Sequence, residues 1–328
     1  MEYSTVKTIQ KSERQSNIEL YRIILMIFMV AHHYFVNSGL SMEVITNKTS
    51  FTYIYEVLGM WGKTGINCFV LITGYYMVKS QTTPVKFIKL LAEIEFYNVV
   101  FYCIFLISGY TTFSVQGFVE SIFPIQGIAQ GFTSCYLIFF LLIPFINILI
   151  HNMNKVQHRC LLGVLMFCYV IIGSVPGFGT VMNYVSWFTV IYILGAYIRL
   201  CPEDFEKIRK GVFLAGSAAI AVISVLTLTL INKSYYFVSD SNKIFAVLVA
   251  VAMFLFFKDL NIRQSRVINT IAASTFGVLC IHANSGLMAQ WLWTDTLKNV
   301  SAYHRGGGMW NTPLYNQRIT CVRGLYSY

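Results

Sequence analysis

Residues 17–36 read NIELYRIILMIFMVAHHYFV, an apolar run with an arginine near its start and two histidines near its end. Arg22 and His33 are eleven positions apart. At about 100° and about 1.5 Å per residue, an α-helix places them about 20° apart in azimuth and about 16 Å apart along its axis. The stretch therefore predicts a membrane-spanning helix with both side chains on one face, where polar groups are costly unless they have a function.

The composition of the whole chain agrees with a membrane protein. Hydrophobic residues make up 56% of the 328 positions and charged residues only 12%, about half the charged fraction that is usual in soluble domains. The net charge is +10, and basic loops on the cytoplasmic side of a membrane are the simplest explanation of that excess. No stretch interleaves basic and aromatic residues as a nucleic-acid groove would, so nucleic acid is not expected as a partner.

Nine apolar runs predict an all-α, polytopic transmembrane helix bundle. They cover about residues 18–37, 57–78, 87–108, 133–150, 160–175, 184–200, 211–231, 243–257 and 267–290. With the N-terminus in the cytoplasm, sixteen of the 24 Lys and Arg residues fall in cytoplasmic segments and four in external ones, in agreement with the positive-inside rule. This orientation places Arg22 near the cytoplasmic surface, and His33 and His282 at one level in the outer half.

Three regions follow from this pattern: a cytoplasmic tail at 1–17, a membrane domain at 18–290 and an atypical tail at 291–328. The first residues are polar and no small-residue cleavage site follows the first apolar run, so a cleaved signal peptide is not expected. The tryptophans of the WLW stretch, Trp291 and Trp293, are expected to anchor the last span at the membrane surface. The eight cysteines show no metal-ligand spacing, so no metal site is predicted.

His33 is the candidate catalytic base, because a neutral imidazole can take a proton from a hydroxyl and return it later. The alternative is a histidine whose ring is bonded to a backbone carbonyl between helices. His32 lies about 80° from the line of Arg22 and is expected to support His33 or to bind substrate. His282, late in the ninth span, is expected to face the same cavity as His33 and to be its catalytic partner.

Arg22 has two interpretations. It is either an anchor that reaches the lipid headgroups or a fixed cation for a phosphate-bearing ligand from the cytoplasm. The face that it shares with His33 favours the second, and Glu19, three residues earlier, is placed to pair with it. Lys63 and Asn67 are four residues apart at the start of the second span, and both are expected to line the same cavity and to bind substrate.

Three of these stretches resemble the pattern of the acyltransferase 3 family of integral membrane acyltransferases. The first is a basic residue, ten residues and a histidine, as from Arg22 to His33. The second, TGINCFVLITGYYM, is similar to the family's G-v-d/n-l-F-f-v-l-S-G-f, with Thr73 where serine is usual. The matching positions are Gly65, Asn67, Phe69 and Gly74. The third, STFGVLCIH, is similar to S-Y-x-x-Y-L-I-H, with Leu279 where an aromatic residue is common.

The resemblance covers about residues 14–290 and implies about ten spans and a transferase activity. Members are typically bacterial O-acetyltransferases of the cell membrane. An acyl group, usually acetyl, passes from cytoplasmic acyl-coenzyme A (acetyl-CoA) to a hydroxyl of an extracytoplasmic glycan or lipid-linked glycan, such as an exopolysaccharide, a capsule or a cell-wall sugar. The donor is a substrate, and no permanently bound cofactor is expected.

The resemblance also implies roles for the polar residues. Arg22 holds the phosphates of the coenzyme or orients its acyl arm, His33 is the general base or the relay that collects the acyl group, and His282 is a supporting polar residue. The tail after about residue 300 lacks the family's final span, which a truncation or a frameshift would explain.

Two other functions remain open at this point. A transporter or flippase of polysaccharide precursors would use the histidines as a proton relay, but it predicts two related halves with broken spans, and the sequence shows no such symmetry. A structural or sensor membrane protein would use the polar residues only to hold helices together. In that case, replacing His33 by alanine costs folding rather than turnover.

Overall fold

The computed structural model describes residues 14–49, 51–123, 131–283 and 285–307, and all regular structure in these ranges is helical. The α-helices are α1 Ser16–Val36, α2 Leu40–Thr46, α3 Thr52–Gly59, α4 Gly62–Met77, α5 Pro84–Ile107, α6 Val115–Ile122, α7 Phe132–His151, α8 Lys155–Leu165, α9 Ile172–Ser174, α10 Tyr184–Leu200, α11 Lys210–Thr229, α12 Ile244–Lys258, α13 Arg266–Ala273, α14 Thr275–Ala283, α15 Gly286–Ala289 and α16 Asn299–Gly307. Two π-helical stretches, Met166–Ile171 and Gln290–Thr296, and a 3₁₀ turn, Pro202–Phe205, lie between them. The all-α prediction is confirmed.

Six helical runs in the described residues are long and apolar enough to cross a membrane. They are Ser16–Val36, Pro84–Ile107, Phe132–His151, Lys155–Ser174, Lys210–Thr229 and Arg266–Ala283. The first of these carries both Arg22 and His33 on one uninterrupted helix. A protein with six such helices is a polytopic membrane protein, whereas the count of nine spans and the cytoplasmic N-terminus stay predictions.

The second, sixth and eighth predicted spans form the shorter helices α4, α10 and α12, of 16, 17 and 15 residues. These helices form the centre of the bundle. Ten of the 16 residues of α4 are buried, against two of the 24 in α5.

Two predicted span boundaries are wrong. The second span was expected from residue 57, but α3 continues to Gly59 and α4 begins only at Gly62. A Cβ at Gly59 would lie 2.4 Å from the ring of Phe35, so the turn between α3 and α4 packs closely against α1. The ninth span was expected to run to residue 290, but α14 ends at Ala283 and Ser285 caps the next helix through its side chain.

Two glycines allow the central helices α4 and α10 to cross at close range. A Cβ at Gly74 would lie 2.4 Å from the carbonyl oxygen of Tyr192, and one at Gly195 would lie 2.6 Å from that of Leu71. Small residues at a crossing let two backbones approach and gain dispersion energy over a long contact. Gly74, which belongs to the family-like second motif, therefore has a packing function.

The polar contacts of the bundle gather at two ends. The inner end contains the N-terminus of α1, where the side chain of Asn17 donates to the carbonyls of Phe257 and Lys258 at the end of α12. Lys210 and Lys258 both pair with Asp259 there. The outer end contains the C-terminus of α1. Three of the five basic segments predicted to be cytoplasmic thus meet at the inner end.

The segment after residue 290 packs on the outer end. Tyr303 in α16 is buried and its hydroxyl donates to the carbonyl of Asn47, at 2.8 Å. Asn299 donates to the carbonyl of Tyr34 at the end of α1, also at 2.8 Å. The described part of the predicted tail is therefore packed against α1 and α2. The remainder, residues 308–328, and residues 1–13 of the predicted N-terminal tail lie outside the described residues.

Candidate active site

Helices α1 and α14 bring two histidines into direct contact at the outer end. Nδ1 of His33 lies 3.0 Å from Nε2 of His282, and the ring centroids are 5.0 Å apart. His33 is half-buried and His282 is buried. The prediction that the two residues share one level is confirmed by this contact, while their catalytic roles stay predictions.

The hydrogen bonds around the pair determine which ring nitrogens carry protons. Nδ1 of His282 lies 2.5 Å from the carbonyl oxygen of Val278, one helical turn earlier. A carbonyl only accepts, so in the neutral ring Nδ1 is the donor and Nε2 is the acceptor. Nδ1 of His33 must then donate to His282. Nε2 of His33 keeps its lone pair and has no hydrogen-bond partner among the described residues.

Trp293 encloses the pair from the side of α14. It was expected to be an interfacial anchor, but it is only 3% exposed, so that prediction is wrong for this residue. Its ring stands edge-on to His282, with centroids 6.1 Å apart, and edge-on to Tyr34 at the same distance. The π-helical stretch Gln290–Thr296 folds the chain back over the end of the bundle, and sequence periodicity does not predict this turn.

His32 bonds to a backbone carbonyl between helices, which was the alternative interpretation of His33. Its Nδ1 donates to the carbonyl of Gly59, at 2.5 Å. The ring also fills the space over Gly62, where a Cβ would lie 2.1 Å from Cδ2 of His32. His32 therefore binds α1 to the turn between α3 and α4. Its ring is tilted against that of His33, at 5.5 Å between centroids, and its predicted substrate contact stays a prediction.

Lys63 lies near the histidines at the outer end of α4. Its Nζ donates to the hydroxyl of Tyr184, at 2.7 Å, and lies 3.9 Å from a carboxylate oxygen of Asp240. It is also within electrostatic reach of His33. Lys63 thus lies at the same end of the bundle as the histidine pair, and its role in substrate binding stays a prediction. Tyr184 was missed by the sequence interpretation, although its position at the outer start of the sixth span was a usable signal.

Asn67 does not line a cavity beside Lys63, which corrects the prediction for it. The side chain is fully buried. Its amide nitrogen donates to the carbonyl of Ser241, at 2.7 Å, and its oxygen accepts from the indole N–H of Trp187, at 2.8 Å. One helical turn after Lys63, α4 is thus in the packed core. The nitrogen and the oxygen of the Asn67 amide each bond to a different segment and join the two segments to α4.

Arg22 lies at the inner end of α1. Its guanidinium is 3.5 Å from the carboxylate of Glu19, which confirms the predicted pair, and its side chain is 35% exposed. It is within electrostatic reach of Tyr136, whose hydroxyl lies 3.0 Å from that of Thr73. Thr73 donates its own proton to the carbonyl of Phe69, so Tyr136 donates to Thr73. Arg22 therefore faces the junction of α1, α4 and α7.

Two methionines separate the ends of the shared face. Met26 and Met29 lie between Arg22 and His33 at helical spacing, and they are 5% and 3% exposed. A Cβ at Gly65 would lie 3.0 Å from Cγ of Met29. Flexible thioether side chains thus cover the face, and this family-like glycine leaves room for one of them.

The comparison with protein-family models gives the deciding observation. The model of the acyltransferase 3 family, described as an acyltransferase domain, matches residues 15–316. The chain belongs to this family. No curated protein and no solved structure matches it. The match includes Arg22, His33 and His282, and it extends past the predicted domain boundary at residue 290.

As a member of the acyltransferase 3 family with six candidate spans, the protein is a membrane acyltransferase. The transporter and structural alternatives are set aside by this assignment. In the described part of the acyltransferase, no group of three or more His, Cys, Asp or Glu side chains is arranged to hold a metal ion. A cavity of about 410 Å³ lies between α5, α6 and α14, where Cys280 lines it. Cys280 is on the face of α14 opposite to His282, so this cavity is separate from the histidine pair.

Proposed function

We propose that this acyltransferase moves an acyl group, most simply acetyl, from cytoplasmic acyl-CoA to a hydroxyl of an extracytoplasmic glycan or lipid-linked glycan. The observation that carries the proposal is the hydrogen-bond chain from Val278 through His282 to His33. It leaves the lone pair on Nε2 of His33, in a half-buried side chain at the outer end. A neutral imidazole nitrogen in that position is suited to general-base catalysis.

The transfer then follows from ordinary acyl chemistry. Nε2 of His33 takes the proton of the acceptor hydroxyl, and the hydroxyl oxygen attacks the thioester carbonyl of the donor. The carbon–sulfur bond breaks, the ester forms, and the leaving thiolate takes the proton back from His33. In a second order of events the same nitrogen attacks the thioester first and carries the acyl group to the acceptor. Both orders need the lone pair on Nε2.

His282 positions His33 throughout this cycle. It accepts the Nδ1–H of His33 whether or not Nε2 is protonated, so the ring orientation is the same before and after proton transfer. The buried ring of Trp293 packs edge-on against His282 and limits the other orientations that the His282 ring could take. In the same proposal His32 and Lys63, at the outer end, contact the acceptor.

Arg22 binds the other end of the donor. Its half-exposed guanidinium at the inner end suits a phosphate group. The acyl arm then runs along the face of α1 that Met26 and Met29 cover. The positive-inside count supports a cytoplasmic inner end, and the proposed site is thereby the bacterial cell membrane, with the acceptor outside.

The test compares glycan O-acetylation in cells that carry the wild type, His33→Ala or Arg22→Ala, with the membrane level of each protein measured by immunoblot. His304→Ala is the control, because His304 is an exposed histidine at the same end whose partner is Glu43. We expect His33→Ala to lose about 10²-fold or more in acylation at a normal protein level. Normal acylation by a well-expressed His33→Ala variant would refute the role of His33, and loss of the protein from the membrane would support a structural role instead.

A further inference from the structure

Arg199 is a cation at the inner end without an acidic partner. It lies in the last turn of α10, and no carboxylate of the described residues is within 4.0 Å of it. Its guanidinium lies over the ring of Tyr75, 4.6 Å from the centroid, and one Nη donates to the Tyr75 hydroxyl, at 2.8 Å. Its Nε is buried and has no hydrogen-bond partner among the described residues.

Tyr75 and Tyr76 of α4 connect the helix that carries Arg199 to the inner end of the helix that carries Arg22. Arg199 contacts Tyr75, and the hydroxyl of the adjacent Tyr76 donates to the side chain of Gln15, at the start of α1, at 2.7 Å. The inner ends of α1, α4 and α10 therefore converge around this pair of tyrosines, whose rings meet edge to face, 5.2 Å apart. A ligand at this point would meet both arginines.

The described residues do not neutralise the positive charge at this junction. Glu19 is the carboxylate that pairs here, and it is shared between Arg22, at 3.5 Å, and Arg14, at 4.0 Å. Three arginines with one carboxylate leave an excess of two positive charges. A partly buried cluster of this kind has a large desolvation cost, which an anionic ligand reduces. The guanidinium fork matches the geometry of a phosphate group.

We infer that Arg199 is, with Arg22, a second cation of a binding site for phosphate groups at the inner end. The identity of the ligand as the coenzyme of the donor rests on the proposed function. Tyr75 holds the Arg199 guanidinium flat by stacking and by its hydroxyl, which occupies one Nη, so the second Nη is the donor left for the ligand. Arg199 is a binding and positioning residue, about 16 Å from the acyl chemistry at His33 if it acts at the level of Arg22.

A purely structural role is the competing explanation for Arg199. A cation in the last turn of a helix interacts favourably with the helix dipole, and stacking on Tyr75 stabilises the fold. This explanation predicts a change in thermal stability on substitution, with no selective change in the affinity for phosphate-bearing molecules. The two explanations therefore differ in binding rather than in stability.

The test measures binding to the full-length protein in lipid nanodiscs by isothermal titration. The probes are coenzyme A and pantetheine, which carries the thiol arm without the phosphates. We expect Arg199→Gln to weaken coenzyme A binding by about tenfold or more, Arg199→Lys to weaken it less, and pantetheine binding to be equal in all variants. Arg209→Gln is the matched control, because Arg209 is an exposed arginine in the same inner segment, and it should bind coenzyme A like the wild type.

A second arm separates coenzyme phosphates from lipid headgroups. Native mass spectrometry compares the retention of phosphatidylglycerol by the wild type and Arg199→Gln. Lipid loss in the variant with unchanged coenzyme A binding assigns the phosphate site to lipid and overturns the coenzyme as its ligand. Unchanged binding of both overturns the inference. If the wild type itself does not bind coenzyme A, it is the proposed donor that fails, and the lipid arm still tests Arg199.

Discussion

The two ends of α1 differ in how their polar side chains are satisfied. At the outer end, His33 and His282 are uncharged partners in a chain of hydrogen bonds that ends on a backbone carbonyl. At the inner end, Arg22 and Arg199 are charged, and among the described residues Glu19 is the carboxylate that pairs there, with Arg22. A site that moves a proton needs a defined tautomer, and a site that holds an anion needs uncompensated charge. In the proposed function, one helix thus separates a proton-transfer site from an anion-binding site.

The sites at both ends of α1 are built on a bundle whose centre is the crossing of α4 and α10. Disrupting this crossing should therefore abolish both sites. Gly195→Leu places a side chain against the backbone of α4, where even a Cβ lies 2.6 Å from a carbonyl oxygen. We expect the folded protein, and with it all activity, to be lost, as judged by size-exclusion chromatography in detergent. Gly216→Leu in α11 is the control, since a Cβ there has nothing within 4 Å. A monodisperse, active Gly195→Leu protein would show that the crossing is not required.

The outer end can be tested through His282 alone. His282→Gln keeps an oxygen that can accept the Nδ1–H of His33, whereas His282→Phe removes it. We expect kcat to fall about 10²-fold in His282→Phe and clearly less in His282→Gln, with the donor KM unchanged in both. The measurement is acyl transfer by purified protein over a range of pH. Equal losses in the two variants would indicate that His282 only fills space.

The inner end should respond in the other kinetic parameter. Arg22→Gln removes a charge that binds the donor before and during the reaction. We expect the donor KM to rise about tenfold with kcat nearly unchanged, which is the reverse of the pattern for His282. A fall in kcat without a change in KM would contradict donor binding by Arg22. The exposed Arg209→Gln again serves as the control.

The smallest effect is expected at Asp204, in the acidic 3₁₀ turn that follows α10. Hydrogen bonds from Lys155, Tyr197 and Arg159 hold the pKa of the Asp204 carboxyl well below its ordinary value. A lowered pKa in the folded state contributes stability above the ordinary carboxyl pKa of about 3.9, and the contribution is lost as the pH falls below it. Asp204→Asn should therefore lower the melting temperature slightly at pH 7.

The difference in melting temperature between the wild type and Asp204→Asn should shrink below about pH 4. The effect is small because these groups are largely exposed and screened by solvent. A difference that grows on acidification would contradict the sign of the shift. Activity per folded molecule should be unchanged, which separates this anchoring cluster from the cations that bind the donor.

The relative positions of Arg22 and His33 could be predicted from the sequence, because both lie on one α-helix of known geometry. The level of His282 also followed, since counting spans and basic loops sets the depth of each residue. The contact between the two rings did not follow from these arguments. It depends on the rotation of α14 about its axis, which is set by packing over a separation of 249 residues.

The sequence did not predict the surroundings of three residues, Asn67, Trp293 and Arg199. Asn67 shares a helix face with Lys63, yet its partners Ser241 and Trp187 come from distant segments. Trp293 is a tryptophan near the end of a predicted span, as membrane-surface anchors are. In the structure it lies in a π-helical stretch and is buried. Arg199 was counted only as a basic residue after the sixth span. Its lack of an acidic partner is a property of the folded neighbourhood and has no trace in the local sequence.

The unbroken helix α1 also fixes the distance between Arg22 and His33. Arg22 and His33 are held about 16 Å apart by eleven residues of regular helix, and neither can move toward the other without breaking backbone hydrogen bonds. A carrier whose charged group is bound at Arg22 can present its acyl carbon to His33 only if its flexible arm reaches that far. Under the proposed function, the rise of one helix therefore selects donors by length, independently of the chemistry at either end.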